Sequence, residues 1–196
     1  MLQSLLAMGI HTRRPGNHRE GANIQRSFGV YKDASTARFI QWPEALNKTT
    51  PDVECALPSR RDLQRFVLAH SLAAEDDARD YFYQFPIHSD IQRHFATRIE
   101  GIGTLYLQRL CMGWKASMGI AQAASNEIAA YVAHQVPHTS VMAYADNFIF
   151  GANNAGDFRE LQRIGPDTRQ DVIHLIEKTN PQTRFLVLVP ARSVAD

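Results

Sequence analysis

Thr139-Ser140-Val141-Met142-Ala143, then Tyr144-Ala145-Asp146-Asn147, then Phe148-Ile149-Phe150: a polar four-residue turn stands between two apolar runs rich in β-branched and aromatic residues. Two short strands joined across a tight Asp/Asn turn form a β-hairpin. A carboxylate at such a tip is held rigidly and points outward, the way a protein presents an anion to a metal ion or a cationic ligand.

A second acidic stretch lies about 65 residues upstream. Glu75-Asp76-Asp77-Ala78-Arg79-Asp80 runs into Tyr81-Phe82-Tyr83-Gln84-Phe85-Pro86-Ile87, which reads as a strand. Side by side in one sheet, the two strands bring Asp77 and Asp146 together. Converging carboxylates repel unless cations lie between them. Such a pair, with substrate phosphates, is the usual seat of Mg²⁺ in two-metal phosphoryl transfer. Taken singly, each aspartate also reads as an ordinary strand-end or turn acid.

The 196 residues suit one domain with a small lobe, and 44% hydrophobic with 21% charged residues is the balance of a globular protein. The total charge of +1 says little, but residues 1–70 carry ten Lys and Arg against six Asp and Glu, a net +4, and residues 71–196 eleven against fourteen, a net −3. A basic part facing an acidic one fits a phosphate-binding lobe set against a metal-binding lobe, and equally fits ordinary solvated charge. Two cysteines, Cys55 and Cys111, exclude a disulfide framework and a cysteine zinc site. The eight histidines follow no metal-binding spacing. No apolar run reaches membrane-spanning length, and Met1 to Ile10 lacks the basic start of a secretory signal, so an intracellular protein with no membrane partner is expected.

Along the chain, residues 1–27 make a basic N-terminal segment, loop-like from residue 11. Phe28 to Asp33 and Ala37 to Trp42 read as strands around a polar turn, and Leu46 to Pro58 as a loop. Ser59 is placed to N-cap a helix carrying Leu63, Phe66, Val67 and His70. A strand pair turns at Glu100 to Gly103, and an alanine-rich helix runs from about Ser117 to His134. Helices at Asp157 to Ile164 and Asp167 to Lys178 and a strand from Phe185 to Pro190 follow.

Four segments carry a resemblance. Arg38 to Lys48, Asp77 to Ile87, Leu110 to Gln122 and Tyr144 to Gly151 resemble, in order and spacing, the fingers and palm of retroviral and retrotransposon reverse transcriptases. They are similar, in turn, to an Arg-containing fingers strand before a Leu-Asn-Lys turn, to D-x-x-D-x-[FY]-[FY]-x-x-P-[LI], to [LP]-x-G-[WF]-K-x-S-x-x-x-x-Q and to the Y-x-D-D box. The resemblance implies an α+β palm, an antiparallel sheet backed by helices, at 75–196, and a β-rich fingers lobe at 28–74 with a further part at about 88–110. It leaves no room for a thumb or ribonuclease H domain.

The same resemblance implies an RNA-directed DNA polymerase that extends a primer on an RNA or DNA template from dNTP, using two Mg²⁺ or Mn²⁺ ions. Asp77 and Asp146 would be the metal ligands, with Asn147 beside them as the third catalytic residue. Asp80 and Tyr81 would offer backbone N–H groups to the triphosphate, Phe82 would be the steric gate against a ribose 2′-hydroxyl, Lys32 and Arg38 would bind phosphates, and Met112 would border the nucleotide. Gly113, Trp114, Lys115, Gln122 and Tyr144 would face template and primer. Asn147 departs from the family's second aspartate, which removes one negative charge and weakens Mg²⁺ binding. Met112, Trp42 and Glu44 depart as well. The Ala-Asp-Asn tip is similar to that of tyrosine-recombinase-type retroelements such as VIPER. A fragment of a retroelement polyprotein, a catalytically inactive palm retained for nucleic-acid binding or structure, and another nucleotidyltransferase on a palm-like sheet all stay open.

Overall fold

The computed structural model describes residues 6, 9–13, 24–31, 37–78 and 80–164. In chain order their elements are β1 (His11–Thr12), β2 (Ile24–Tyr31), β3 (Ala37–Trp42), α1 (Glu44–Thr49), α2 (Arg60–Ala69), β4 (Leu72–Asp77) and α3 (Tyr81–Gln84). There follow α4 (Ser89–Gln92), a 3₁₀ turn at Arg93–Phe95, β5 (Ala96–Ile99), β6 (Gly103–Leu107), α5 (Lys115–Gln135), β7 (Ser140–Tyr144), β8 (Asn147–Ala152) and α6 (Ala155–Ile164). The result is an α+β protein of two units, one holding the described residues up to Thr50 and Phe85–Trp114, the other the described residues of 51–84 and 115–164. Residues 51–74, expected with the first lobe, fall in the second unit.

The first unit is a five-stranded sheet in the order β1-β6-β5-β2-β3, with β2 and β5 parallel and the other neighbours antiparallel. Its core is Phe85, Phe95, Leu105, Leu107, Leu110 and Trp114, each at most 2% exposed. Burying a side chain of this size contributes about 1.5–3 kcal/mol. Gln41 ties β3 to the 3₁₀ turn by donating from Nε2 to the Phe95 carbonyl at 3.1 Å. Two stretches read as loops are ordered differently: His11–Thr12 pairs with β6, and Glu44–Thr49 is a helix whose Glu44 and Lys48 form an exposed i,i+4 ion pair at 3.1 Å. His11 is buried edge-on against Phe39, and neither ring nitrogen has a hydrogen-bond partner among the described residues.

Burial lowers the His11 pKa from 6.5 to about 4. The folded ring stays neutral while the unfolded ring takes up a proton below about 6.5, so stability is complete above that pH and falls toward pH 4. We expect His11→Leu to remove an acid-dependent loss of roughly 2–3 kcal/mol, read by urea denaturation at pH 7 and pH 4.5.

The second unit is a three-stranded antiparallel sheet in the order β4-β8-β7. Phe148, Phe150 and Ala152 of the central strand and Ala143 of β7 are each at most 3% exposed. They share the face packed by α5 and α6, since alternate residues of a strand point the same way. Helix α5 lies close because its buried residues are mostly small: Ala116, Ser117, Gly119, Ala121, Ala124, Ser125 and Ala129. On the other face, α2 delivers His70 against the sheet. Ser59 starts α2 with a reciprocal capping box to Asp62, the cap its sequence implied. His70 Nδ1 lies 2.7 Å from the Phe66 carbonyl, and its ring occupies the space above Gly151, where an added Cβ would come within 2.6 Å. Gly151→Ala is therefore expected to displace the imidazole and cost about 1–2 kcal/mol in thermal unfolding, despite the entropic gain of losing a glycine.

The strand expected over Tyr81 to Ile87 is replaced by β4, which ends where that strand was to begin; Tyr81–Gln84 is a single helical turn. Asp80, with φ of 52°, turns the chain out of the sheet before the aromatic run. An acidic, alanine-containing segment of low β-propensity becomes the strand because it is the one aligned to pair with β8. The helix and strand read at 167–178 and 185–190, and Lys32, lie outside the described residues.

Candidate functional site

The hairpin turn is shorter than the sequence suggests. Tyr144 and Asn147 are the last paired residues, leaving Ala145 and Asp146 as a two-residue connection. Asn147 also pairs with Asp77 across β4, so Asp77, Asn147 and Tyr144 lie in one row at the same end and on the same face of the sheet. Opposed side chains in such pairs have Cβ atoms about 4.5–5.5 Å apart. The main chain locks the arrangement further, the Ala78 N–H donating to the Asp146 carbonyl at 2.8 Å. Asp77 is exposed, Asp146 and Asn147 half-buried and Tyr144 43% exposed. The Asp77 N–H donates to its neighbour's Asp76 Oδ1 at 3.1 Å.

Among the described residues no three or more His, Cys, Asp or Glu side chains converge into a preformed metal cage. The strand end carries two carboxylates and one amide, all with hard oxygen donors, exposed at Asp77 and half-buried at Asp146 and Asn147. That set fits Mg²⁺, which keeps several waters and takes one or two carboxylates together with substrate phosphates.

What holds the turn was not legible in the sequence. Ala145 has φ of 50°, a left-handed conformation that costs a residue with a Cβ about 1 kcal/mol. Helix α5 offsets it. Gln122, 2% exposed, accepts from the Ala145 N–H through Oε1 at 2.7 Å and donates from Nε2 to the Ala143 carbonyl at 2.9 Å and to Asn126 Oδ1 at 2.7 Å. Its amide is thus saturated inside the protein, on the underside of the turn rather than in a solvent-facing template groove. Ser125 lies one turn along, within 2.5 Å of the Ala145 carbonyl.

Tyr81 is also drawn inward. Its ring is 2% exposed, packs edge-on to Phe148 and places its hydroxyl 2.6 Å from Ser125 Oγ. Burial pushes the phenol above its usual range, the Ser125 hydrogen bond opposes this, and the negative charge of Asp146 adds to it. Phe82 is half-buried on the same helical turn, edge-on to Tyr81. Asp80 is exposed, and its carbonyl accepts from the Tyr83 N–H at 2.9 Å.

The remaining expected site residues lie away from this turn in the chain and are placed as follows. In the first unit Trp114 is a core residue, 2% exposed, donating from Nε1 to Thr50 Oγ1 at 2.8 Å and set edge-on to Phe95. Gly113 has φ of 107° and its carbonyl accepts from Asn47 Nδ2 at 2.9 Å. Met112 is half-buried, and Arg38 is opposite Val30 in β3. In the second unit Lys115 makes a 3.0 Å ion pair with the fully exposed Asp52. Burial pushes the Cys111 thiol up to about 12, which keeps it an inert core residue. Among the described residues no helix is long and apolar enough to cross a membrane. The sequence matches no protein-family model and no curated protein.

Proposed function

We propose that the chain is the palm, with part of the fingers, of a reverse-transcriptase-type polymerase of a retroelement. In this reading it extends a primer 3′-hydroxyl from dNTP on an RNA or DNA template. One observation carries the reading: two aspartates 69 residues apart in the chain meet at one end of a helix-backed antiparallel sheet, Asp77 opposite Asn147 and Ala78 bonded to Asp146. Asp77 is exposed at the strand end, and buried hydrogen bonds hold the two peptides that lead into Asp146.

Asp77 and Asp146 would hold divalent cations, with the Asn147 amide oxygen as a weaker third donor. Bound there, Mg²⁺ would offset the charge that develops on the attacking and departing oxygens. The chain's own contribution is positional: the two-residue turn restricts where Asp146 sits relative to Asp77. Phe82, on the helical turn that follows Asp80, is the nearest candidate for a contact with the sugar.

The neutral Asn147 favours a second reading, an inactive palm that binds duplexes through phosphate contacts alone. Primer extension on an RNA template with Mg²⁺ and with Mn²⁺ separates the two. Incorporation that disappears in Asp146→Ala supports the polymerase. Duplex binding without incorporation, in the natural chain and in Asn147→Asp alike, supports the inactive palm.

A further inference from the structure

A metal site on a two-residue turn has a geometric problem: rotation of a single peptide plane moves the carboxylate that follows it. The peptide joining Ala145 to Asp146 is the sensitive one, since Ala145 already has a positive φ. Its carbonyl lies 2.5 Å from Ser125 Oγ, and Ser125 Oγ lies 2.6 Å from the Tyr81 hydroxyl. Each hydroxyl has one proton. If Tyr81 donates to Ser125 and Ser125 donates to Ala145, both are used and the buried carbonyl is satisfied. Run the other way, the chain leaves the buried Ala145 carbonyl without that donor, which is unfavourable for an acceptor shielded from water. The Ala121 carbonyl, 2.9 Å from Ser125 Oγ and 3.3 Å from the Tyr81 hydroxyl, adds a secondary acceptor on the same helix.

Both ends of this chain matter. Tyr81 belongs to the segment that carries Asp77, and the same segment's Ala78 N–H holds the next carbonyl, that of Asp146. The two carbonyls flanking the Asp146 α-carbon are therefore gripped by one stretch of chain, directly by Ala78 and through Ser125 by Tyr81. We infer that Tyr81 and Ser125 form a hydroxyl relay that sets the separation of Asp77 and Asp146, and so tunes divalent-cation binding at the hairpin tip. Tyr81 is a positioning residue here, not a substrate contact: its hydroxyl is enclosed beneath the turn. The inference rests on the metal-site reading proposed above.

Mn²⁺ titrations followed by electron paramagnetic resonance test it on the full chain, comparing the natural protein with Tyr81→Phe, Ser125→Ala, the double variant and Asp146→Ala. The relay predicts Mn²⁺ dissociation constants about tenfold larger in each single variant, the low end for partners that orient a ligand. The double variant should be no weaker than the weaker single one, because both residues act through the same carbonyl. Unchanged affinity in both single variants, with binding lost in Asp146→Ala, overturns the relay and leaves the metal site standing, even if melting temperatures fall. Losses that add in the double variant overturn the shared path. Absence of saturable Mn²⁺ binding to the natural protein overturns relay and metal site together.

Discussion

On the polymerase reading proposed above, Asp146→Ala is expected to lower template-directed incorporation by about a thousandfold or more, the scale on which preorganised charge stabilisation acts at a reacting centre. The side chain is half-buried at a turn, and the main-chain bond from Ala78 to its carbonyl survives the substitution, so the melting temperature should change little. Asp77→Asn should be comparably damaging and equally stable, being an exposed strand-end residue. Asn147→Asp should move the other way, restoring a negative charge in the row with Asp77 and reducing the Mg²⁺ concentration needed for half-maximal rate. Steady-state primer extension against metal concentration reads all three. A rate in Asp146→Ala within a few-fold of the natural chain would remove the hairpin tip from the chemistry.

The largest expected effect on stability lies one layer below, at Gln122. Truncation to Ala strips the buried Ala145 N–H and Ala143 carbonyl of their partners and leaves a void under the turn. Each orphaned group costs about 1–3 kcal/mol, so the total should reach roughly 3–5 kcal/mol in urea unfolding. Gln122→Glu keeps an acceptor for Ala145 but turns a carboxylate oxygen toward the Ala143 carbonyl and Asn126 Oδ1 in a buried site, so at neutral pH it should be no more stable than Gln122→Ala. A loss below about 1 kcal/mol for Gln122→Ala would mean that the turn holds its shape without α5.

The hairpin was legible because two apolar runs rich in β-branched and aromatic residues flank an Asp/Asn turn, and α2 because Ser59 stands as an N-cap before Leu63, Phe66 and Val67 at helical spacing. Helix α5 was legible from its alanines. The strand bearing Asp77 was misplaced because local preference and tertiary pairing disagree: Tyr81 to Ile87 has the aromatic content of a strand, yet the register with β8 belongs to Leu72–Asp77. That the Asp77 segment lies beside the hairpin end could be posed from sequence, but the pairing of Asp77 with Asn147 required that register to be seen. Gln122, Ser125 and Tyr81 were harder still. Gln122 and Ser125 bond main-chain groups of a turn 20 or more residues away, and Tyr81 bonds Ser125 on a helix 44 residues away, pairings that no local pattern encodes.

Because β8 lies between β4 and β7, the carboxylate of Asp77 has no counterpart until the chain has been made through Asn147 and beyond. Closing a loop of that length costs about 4 kcal/mol of chain entropy before any pairing repays it. The strand end proposed to hold the metal is therefore assembled late during folding, after α5 has docked. A nascent chain that stops short of Asn147 would expose an acidic edge with nothing beside it.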